Sequence, residues 1–156
     1  MHFPELKLRE LSAIRVAYRG DVGAVPRILI VQFSGQYGTG SEGNDDAAFM
    51  SGALAAGVAT WRPQGVVLDL RELQYEWGDG LFTRVIALAR SRDCGLLAEP
   101  ELVYPVTVVV GPASRPGFEG ALSRSGEPWV FDTLETAVAR ASRFVEQGAS
   151  RTTPVS

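Results

Sequence analysis

Residues Gly65–Leu70 read GVVLDL, a short and almost continuously apolar run. Runs of this kind are typical of parallel strands that helices cover on both faces. The preceding run Arg27–Ser34 (RILIVQFS) has the same character, whereas Ala13–Arg19 (AIRVAYR) alternates between apolar and polar residues. Because alternation indicates a strand with one solvated face, the sequence predicts two central strands and an edge strand that forms a hairpin with Arg27–Ser34.

Helical patterns separate the strands in the rest of the chain. Between Asp46 and Trp61, apolar residues recur at spacings of three and four, and Gly80 introduces a second pattern of the same kind. Further elements are predicted as strands at Tyr104–Val110 and Trp129–Phe131, a short helix at Ser114–Arg124, and a last helix that begins at Asp132 or Thr133 and ends at Gly148. The order β-β-α-β-α-β-α-β-α predicts an α/β fold with a mostly parallel central sheet and flanking helices.

Length and composition limit the chemistry that the chain can carry. It has 156 residues, with 15 Lys and Arg against 18 Asp and Glu, and a formal net charge of −3. The length predicts one domain at 13–147, between an extension at 1–12 and a disordered tail at 148–156. One cysteine (Cys94) and one terminal histidine (His2) exclude an internal disulfide, a cysteine-rich zinc site and a histidine-dependent triad. We therefore expect no metal and no cofactor.

The same features argue against two classes of partner. An acidic chain offers no basic surface to nucleic acid, and no apolar run approaches the ~20 residues of a membrane span. The opening residues, MHFPELKLRE, lack the apolar core of a signal peptide. Because the single cysteine is also unpaired, the sequence predicts a cytoplasmic protein.

The loop Gly35–Asp46 (GQYGTGSEGNDD) contains the string G-x-G-x-x-G at residues 38–43. In dinucleotide-binding proteins this string opens a helix whose backbone N–H groups meet a pyrophosphate, and Asp69 would stand where a ribose-binding acid lies. Here Asn44, Asp45 and Asp46 follow the string, and their charge opposes such a ligand. A flexible acidic loop, with one of these three residues as helix cap, is the main expectation; nucleotide binding and an unidentified binding role are the alternatives.

A second loop follows the strand Gly65–Leu70, and residues 69–81 read DLRELQYEWGDGL. Asp79 is predicted to cap the next helix, and a catalytic carboxylate pair among Glu72, Glu76 and Asp79 is a further alternative. Tyr75 and Trp77 stand among charges at the carboxyl edge of the sheet, where α/β proteins place their functional loops. Each ring either anchors a protein partner or folds back onto the core.

These features together resemble the STAS domain, the fold of bacterial anti-sigma factor antagonists and of the cytoplasmic domains of sulfate transporters. The resemblance covers roughly residues 14–145. It is carried by Ile28–Gly35 (ILIVQFSG), by Val66–Leu70 (VVLDL), and by Phe131–Ala137 (FDTLETA), which is similar to the family's closing strand and helix. The resemblance implies a non-enzymatic regulatory or scaffolding protein that binds another protein, either a kinase of the anti-sigma type or a sensor protein; a homodimer is left open.

The chain departs from the family at its reactive position. Family members carry a D-S-S-G-L loop whose first serine is phosphorylated, and here that loop falls on Trp77-Gly78-Asp79-Gly80-Leu81. Gly78 occupies the acceptor position and has no hydroxyl, while Asp79 supplies a fixed charge beside it. The resemblance therefore implies a docking edge around residues 75–82 without that switch. Its predicted contact residues are Tyr75, Trp77, Gly78, Asp79, Gly80 and Phe82.

A second resemblance leads to an alternative function. The stretch Pro105–Leu122 (PVTVVVGPASRPGFEGAL) is similar to the crotonase-family segment whose backbone N–H groups help to form an oxyanion hole. This resemblance implies a small enzyme that binds acyl-CoA or another small molecule through N–H donors near 111–117. Pro116, which lacks an N–H, replaces part of that family's glycine run.

Overall fold

The computed structural model describes residues 1–21, 26–78, 80–90, 105–119 and 129–152. Five strands form one sheet in the order β1-β2-β3-β4-β5, in which β1 is antiparallel to β2 and the other neighbours are parallel. The mostly parallel α/β fold predicted from the sequence is thereby confirmed. The strands are β1 Arg15–Gly20, β2 Ile28–Gln36, β3 Gly65–Gln74, β4 Val106–Val110 and β5 Val130–Phe131.

Four helical segments accompany the sheet. They are α1 Leu8–Leu11, α2 Asn44–Trp61, α3, which is a π-helix over Leu81–Ile86 followed by an α-helix over Ala87–Arg90, and α4 Leu134–Thr152. Short 3₁₀ turns lie at Gly40–Gly43 and Arg115–Phe118. Of the helix predicted at Ser114–Arg124, the described residues contain this second turn, and 120–128 lie outside them.

The two faces of the sheet bury different side chains because successive residues of a strand point to opposite sides. Leu29, Val31 and Phe33 of β2 face the larger core, together with residues of α2 and α3. Ile28 and Val67 face the other side, where they pack with residues of α4. The predicted central position of β2 and β3 follows from this burial on both faces.

Both central strands extend beyond their predicted ends. After an irregularity in register between Gln32 and Ser34, pairing resumes at Ser34–Glu72 and continues to Gln36–Gln74. A bulge accommodates one extra residue without ending the ladder. The loop predicted directly after Leu70 therefore begins only after Gln74, and the loop predicted from Gly35 begins only after Gln36.

Two predictions about helix ends are wrong. The N-cap of α2 is Gly43, with no side-chain cap, rather than Asn44, Asp45 or Asp46, because the chain enters α2 through the preceding 3₁₀ turn. The last helix does not end at Gly148 but continues to Thr152, since an interior glycine costs only about 1 kcal/mol. Its predicted start is confirmed, because Thr133 Oγ1 accepts the Thr136 N–H at 3.3 Å.

Candidate functional site

The loops that follow β2 and β3 lie side by side at the carboxyl edge of the sheet. Backbone hydrogen bonds fix both of them: the Tyr37 N–H donates to the Gln74 carbonyl at 2.9 Å, and the Tyr75 N–H donates to the Ala113 carbonyl at 3.0 Å. We call residues 37–43 and 75–80 the two-loop surface. Asp79, one of its predicted contact residues, lies outside the described residues.

The glycines of residues 38–43 are packing positions. A Cβ on Gly40, whose φ is +58°, would lie 2.9 Å from Cη2 of Trp77, and a Cβ on Gly38 would lie 2.7 Å from the backbone of Glu42. A Cβ on Gly43 would collide with the Tyr37 ring. The G-x-G-x-x-G string is therefore explained by close contacts within the two-loop surface.

The Asp46 carboxylate already accepts one of the backbone N–H groups that a bound phosphate would need. Asp46 Oδ2 accepts the Gly38 N–H at 2.9 Å, and its Oδ1 accepts the Ser12 hydroxyl at 2.5 Å. The loop predicted to be flexible and acidic contains a 3₁₀ turn, and its Gly38 N–H is bonded to Asp46 of α2. Sequence reasoning assigned Asp46 only a capping role, since its two real partners lie 34 and 8 residues away.

Tyr75 belongs to the core and not to the exposed surface. Its side chain is 1% exposed, and its hydroxyl donates to the Gly78 carbonyl at 2.5 Å. The ring meets Tyr37 edge to face at 5.2 Å between centroids and Phe118 at 5.7 Å. Of the two outcomes left open for this ring, folding back onto the core is the one observed.

Trp77 has the opposite environment. It is 60% exposed, and its ring lies over Gly40 of the neighbouring loop. Among the residues that the structure describes, it is the one large apolar side chain outside the first eleven residues that is exposed to this degree. A rigid aromatic ring held against glycine loses little conformational entropy when a partner covers it.

Gly78 and Gly80 are held closely against Tyr37. Gly78 has a φ of +144°, a backbone conformation that side chains rarely adopt, and its Cβ would lie 3.4 Å from Cε1 of Tyr37. A Cβ on Gly80 would lie 2.7 Å from the Tyr37 hydroxyl oxygen. Backbone geometry therefore disfavours serine at residue 78. The last predicted contact residue, Phe82, lies on α3, and its side chain is outside the described residues.

Tyr37, which sequence reasoning did not single out, is the centre of this arrangement. It is buried, and burial together with the Asp46 carboxylate raises the pKa of its hydroxyl, while Arg84 and a hydrogen bond from the Leu81 backbone act in the opposite direction. Arg84 is exposed and donates to the Asn44 carbonyl at 3.2 Å, so it links α3 to the start of α2. An aromatic residue between glycines, as in residues 35–38 (GQYG), is the signal that could have identified it.

The charges around Trp77 are mainly negative. Glu42, Asp45 and Glu76 are exposed on or beside the two loops, and Arg84 is an exposed cation on the neighbouring helix α3. Of the three acids considered for catalysis, Glu72 accepts a hydrogen bond from Gln32 at 3.1 Å, Glu76 is exposed, and Asp79 is not described. Within the described ranges, no group of three or more His, Cys, Asp or Glu residues is arranged to hold a metal.

Two other candidate positions are occupied by internal contacts. Asp69, considered as a ribose-binding acid, is fully buried and accepts hydrogen bonds from Arg71 Nε and Nη2 at 2.9 and 2.8 Å. This interaction raises the pKa of the Arg71 guanidinium above its ordinary value. A carboxylate engaged by both arms of an arginine is a structural ion pair.

The segment 111–117, considered as an oxyanion hole, uses its own N–H donors. The Gly111 N–H donates to Ser114 Oγ at 3.1 Å, and the N–H groups of Ser114 and Arg115 donate to the Gly111 carbonyl at 3.2 and 2.9 Å. The Gly117 N–H donates to the Ser114 carbonyl at 3.2 Å. An oxyanion hole needs donors that point at a ligand, so this geometry does not favour the enzymatic alternative.

Comparison with known proteins connects the chain to one class of structure. No protein-family model and no curated protein matches the sequence. A solved structure of an anti-sigma factor antagonist from Mycobacterium paratuberculosis is similar, with a TM-score of 0.55 and 19% identity over 83% of this chain and 94% of that chain. At this identity the similarity establishes a shared fold, and it confirms the fold that the STAS resemblance implied.

Helix length and hydropathy give one further result. In the parts of the chain that the structure describes, no helix is long and apolar enough to cross a membrane.

Proposed function

We propose that the chain is a STAS-like regulatory protein that acts by reversible docking of another protein on the two-loop surface, and not by catalysis. The observation that carries this proposal is Trp77, which is 60% exposed and fixed against Gly40 at the edge where α/β folds place their functional loops. Buried aromatic anchors contribute a large share of the binding energy in protein interfaces. The shared fold with an anti-sigma factor antagonist supports a regulatory role.

The partner is a protein with a basic rim around an apolar pocket. Trp77 fills the pocket, and the exposed acids Glu42, Asp45 and Glu76 face the rim. Complementary charge of this kind raises the association rate and excludes acidic partners. A kinase of the anti-sigma type and a sensor protein, both cytoplasmic, are the classes that the resemblance to the STAS family suggests.

Docking on this surface proceeds without phosphorylation at residue 78. Gly78 has no hydroxyl, and its φ of +144° disfavours a serine in its place. Of the contact residues predicted from the sequence, we keep Trp77, Gly78, Asp79, Gly80 and Phe82. We add the loop 37–43, because it supports Trp77. Tyr75 is buried beneath this surface and supports it through the hydrogen bond from its hydroxyl to the Gly78 carbonyl.

Affinity capture followed by calorimetry tests this function. A protein captured from cell extract is purified and titrated with the wild type, with Trp77→Ala and with Trp77→Phe. We expect Trp77→Ala to weaken binding by at least about tenfold, the cost of losing a buried aromatic anchor, and Trp77→Phe to lose less. Gly52→Ala, at a position of α2 where the added Cβ meets open space, is the control. A partner that binds Trp77→Ala and the wild type equally contradicts the proposed surface.

A further inference from the structure

Exposed large apolar side chains are concentrated at one place in the chain. Phe3 is 80% exposed, Leu6 92% and Leu8 72%, and Met1 and Leu11 are exposed as well. Within the described residues, Trp77 is the one other large apolar side chain in this class. Single exposed apolar residues are common, but a contiguous group of this size marks an interaction segment.

This leading segment, residues 1–11, starts from the same edge of the molecule as the two-loop surface. Its base is Ser12, which is 8% exposed, donates to Asp46 at 2.5 Å and accepts the Ile14 N–H at 3.1 Å. Asp46 also accepts the Gly38 N–H, so one carboxylate joins the base of the segment to the loop that supports Trp77. Because β1 runs antiparallel to β2, its first residue lies at the carboxyl edge, opposite Ser34.

We propose that two copies of this chain form a symmetric dimer in which the leading segment of each lies across the two-loop surface of the other. Phe3, Leu6 and Leu8 would then cover Trp77 and the glycine-rich backbone around it. Residues 1–7 can span up to roughly 23 Å when extended, which is enough to cross from one protomer to its partner when the two edges face each other. Each protomer supplies both halves of the contact, so the arrangement closes on itself as a twofold dimer.

The area available favours a second copy as the occupant. The four most exposed apolar side chains of the segment, Met1, Phe3, Leu6 and Leu8, can each bury on the order of 100 Å², so one segment supplies roughly 400 Å² and covers a similar area of the surface that receives it. Exchange in both directions therefore gives each protomer roughly 800 Å², the value for a stable interface of standard size. A segment that docks in one direction only, on an unrelated protein, gives about half of that area.

The dimer has a consequence for the docking of a partner, and this consequence alone rests on the function proposed above. The segment and the partner compete for Trp77, so partner binding weakens as the concentration of the chain rises. Variants that lose the dimer but keep Trp77 are expected to bind the partner at least as tightly as the wild type. Dimerisation and partner binding are thus measured separately, and one proposal can fail without the other.

Light scattering coupled to size exclusion, followed by sedimentation equilibrium, tests the dimer. The triple variant Phe3→Ser/Leu6→Ser/Leu8→Ser and Trp77→Ala are each compared with the wild type over micromolar to sub-millimolar concentrations. We expect the triple variant to raise the dimer dissociation constant more than about 100-fold, because six apolar side chains leave the interface. The control Glu5→Ser/Arg9→Ser/Glu10→Ser changes the same segment without removing apolar area, and it should dimerise like the wild type.

Mixing the two defective variants distinguishes this exchange from other arrangements. In a mixed pair, the intact segment of Trp77→Ala meets the intact surface of the triple variant, so heterodimers should form with intermediate affinity where neither variant dimerises alone. No recovery on mixing means that like surfaces pair with like, and it overturns the exchange. A wild type that stays monomeric throughout the range also overturns it.

Discussion

At the scale of single residues, ring contacts explain both the glycines and the aromatics of the two-loop surface. The sequence identified residues 38–43 through a nucleotide-binding string, yet Gly40 and Gly43 are required by Trp77 and Tyr37, which lie on them. It also left the environments of Tyr75 and Trp77 open. Leu73 and Tyr75 are both buried and continue the alternation of β3, so the correct strand length would have assigned Tyr75 to the core. The contact between Gly40 and Trp77, which are 37 residues apart in sequence, cannot be predicted from local pattern.

Replacement of Gly78 by alanine is expected to destabilise the fold. The φ of +144° at this position costs a residue with a Cβ about 1–3 kcal/mol, and the added methyl approaches Tyr37 as well. Gly52→Ala is the matched control, because it lies in α2 with open space around it and should stabilise by about 0.5–1 kcal/mol. Urea unfolding of both variants measures the difference. If Gly78→Ala is as stable as the wild type, residue 78 is not constrained as described.

At the scale of elements, periodicity predicted the existence of strands and helices, but contacts with residues distant in sequence set their ends. The extension of β3 to Gln74 depends on pairing with β2 after the irregularity at Gln32 and Ser34, which no local pattern encodes. The local pattern predicts a side-chain cap at the start of α2, because Asn44, Asp45 and Asp46 are all common capping residue types. In the structure the Asp46 carboxylate reaches Ser12 and Gly38 and connects α1, the first loop and α2. The Asp46 carboxylate thus bonds partners distant in sequence, and the start of α2 is left without a side-chain cap.

Asp46→Ala and its neighbour Asp45→Ala should separate these two roles. Both variants remove a negative charge from the first turn of α2, which costs each about 0.3–1 kcal/mol through the helix dipole. Only Asp46→Ala also leaves the Gly38 N–H and the Ser12 hydroxyl without their acceptor, which adds about 1–3 kcal/mol. Urea unfolding gives the difference, and amide exchange at Gly38 should accelerate in Asp46→Ala alone. Equal losses in the two variants would contradict the joining role of Asp46.

At the scale of the whole molecule, periodicity predicts the order of strands and helices along the chain, and the proposed function depends on the side chains that collect at one edge of the sheet. Continuous apolar runs predicted parallel central strands, and parallel strands bring their following loops to one edge. We therefore predict the candidate site at that edge, where the structure brings the loops after β2 and β3 side by side. Which side chains reach the surface there depends on burial: Trp77 is exposed, whereas Tyr37 and Tyr75 are covered. Because burial raises the pKa of Tyr37, the stability of the fold also depends on pH.

The stability of the molecule is expected to fall as the pH rises above about 10, the ordinary pKa of tyrosine. Burial raises the pKa of Tyr37 and of Tyr18, whose hydroxyl donates to the Ala53 carbonyl at 2.6 Å. Above that pH the unfolded chain releases these protons while the folded chain retains them, so the contribution to stability that is complete below pH 10 is lost. Each retained proton adds a slope of at most about 1.4 kcal/mol per pH unit. Tyr37→Phe should remove its share of this slope, which urea unfolding between about pH 9 and pH 11 measures. An unchanged slope in Tyr37→Phe would show that its hydroxyl ionises as readily in the folded chain as in the unfolded one.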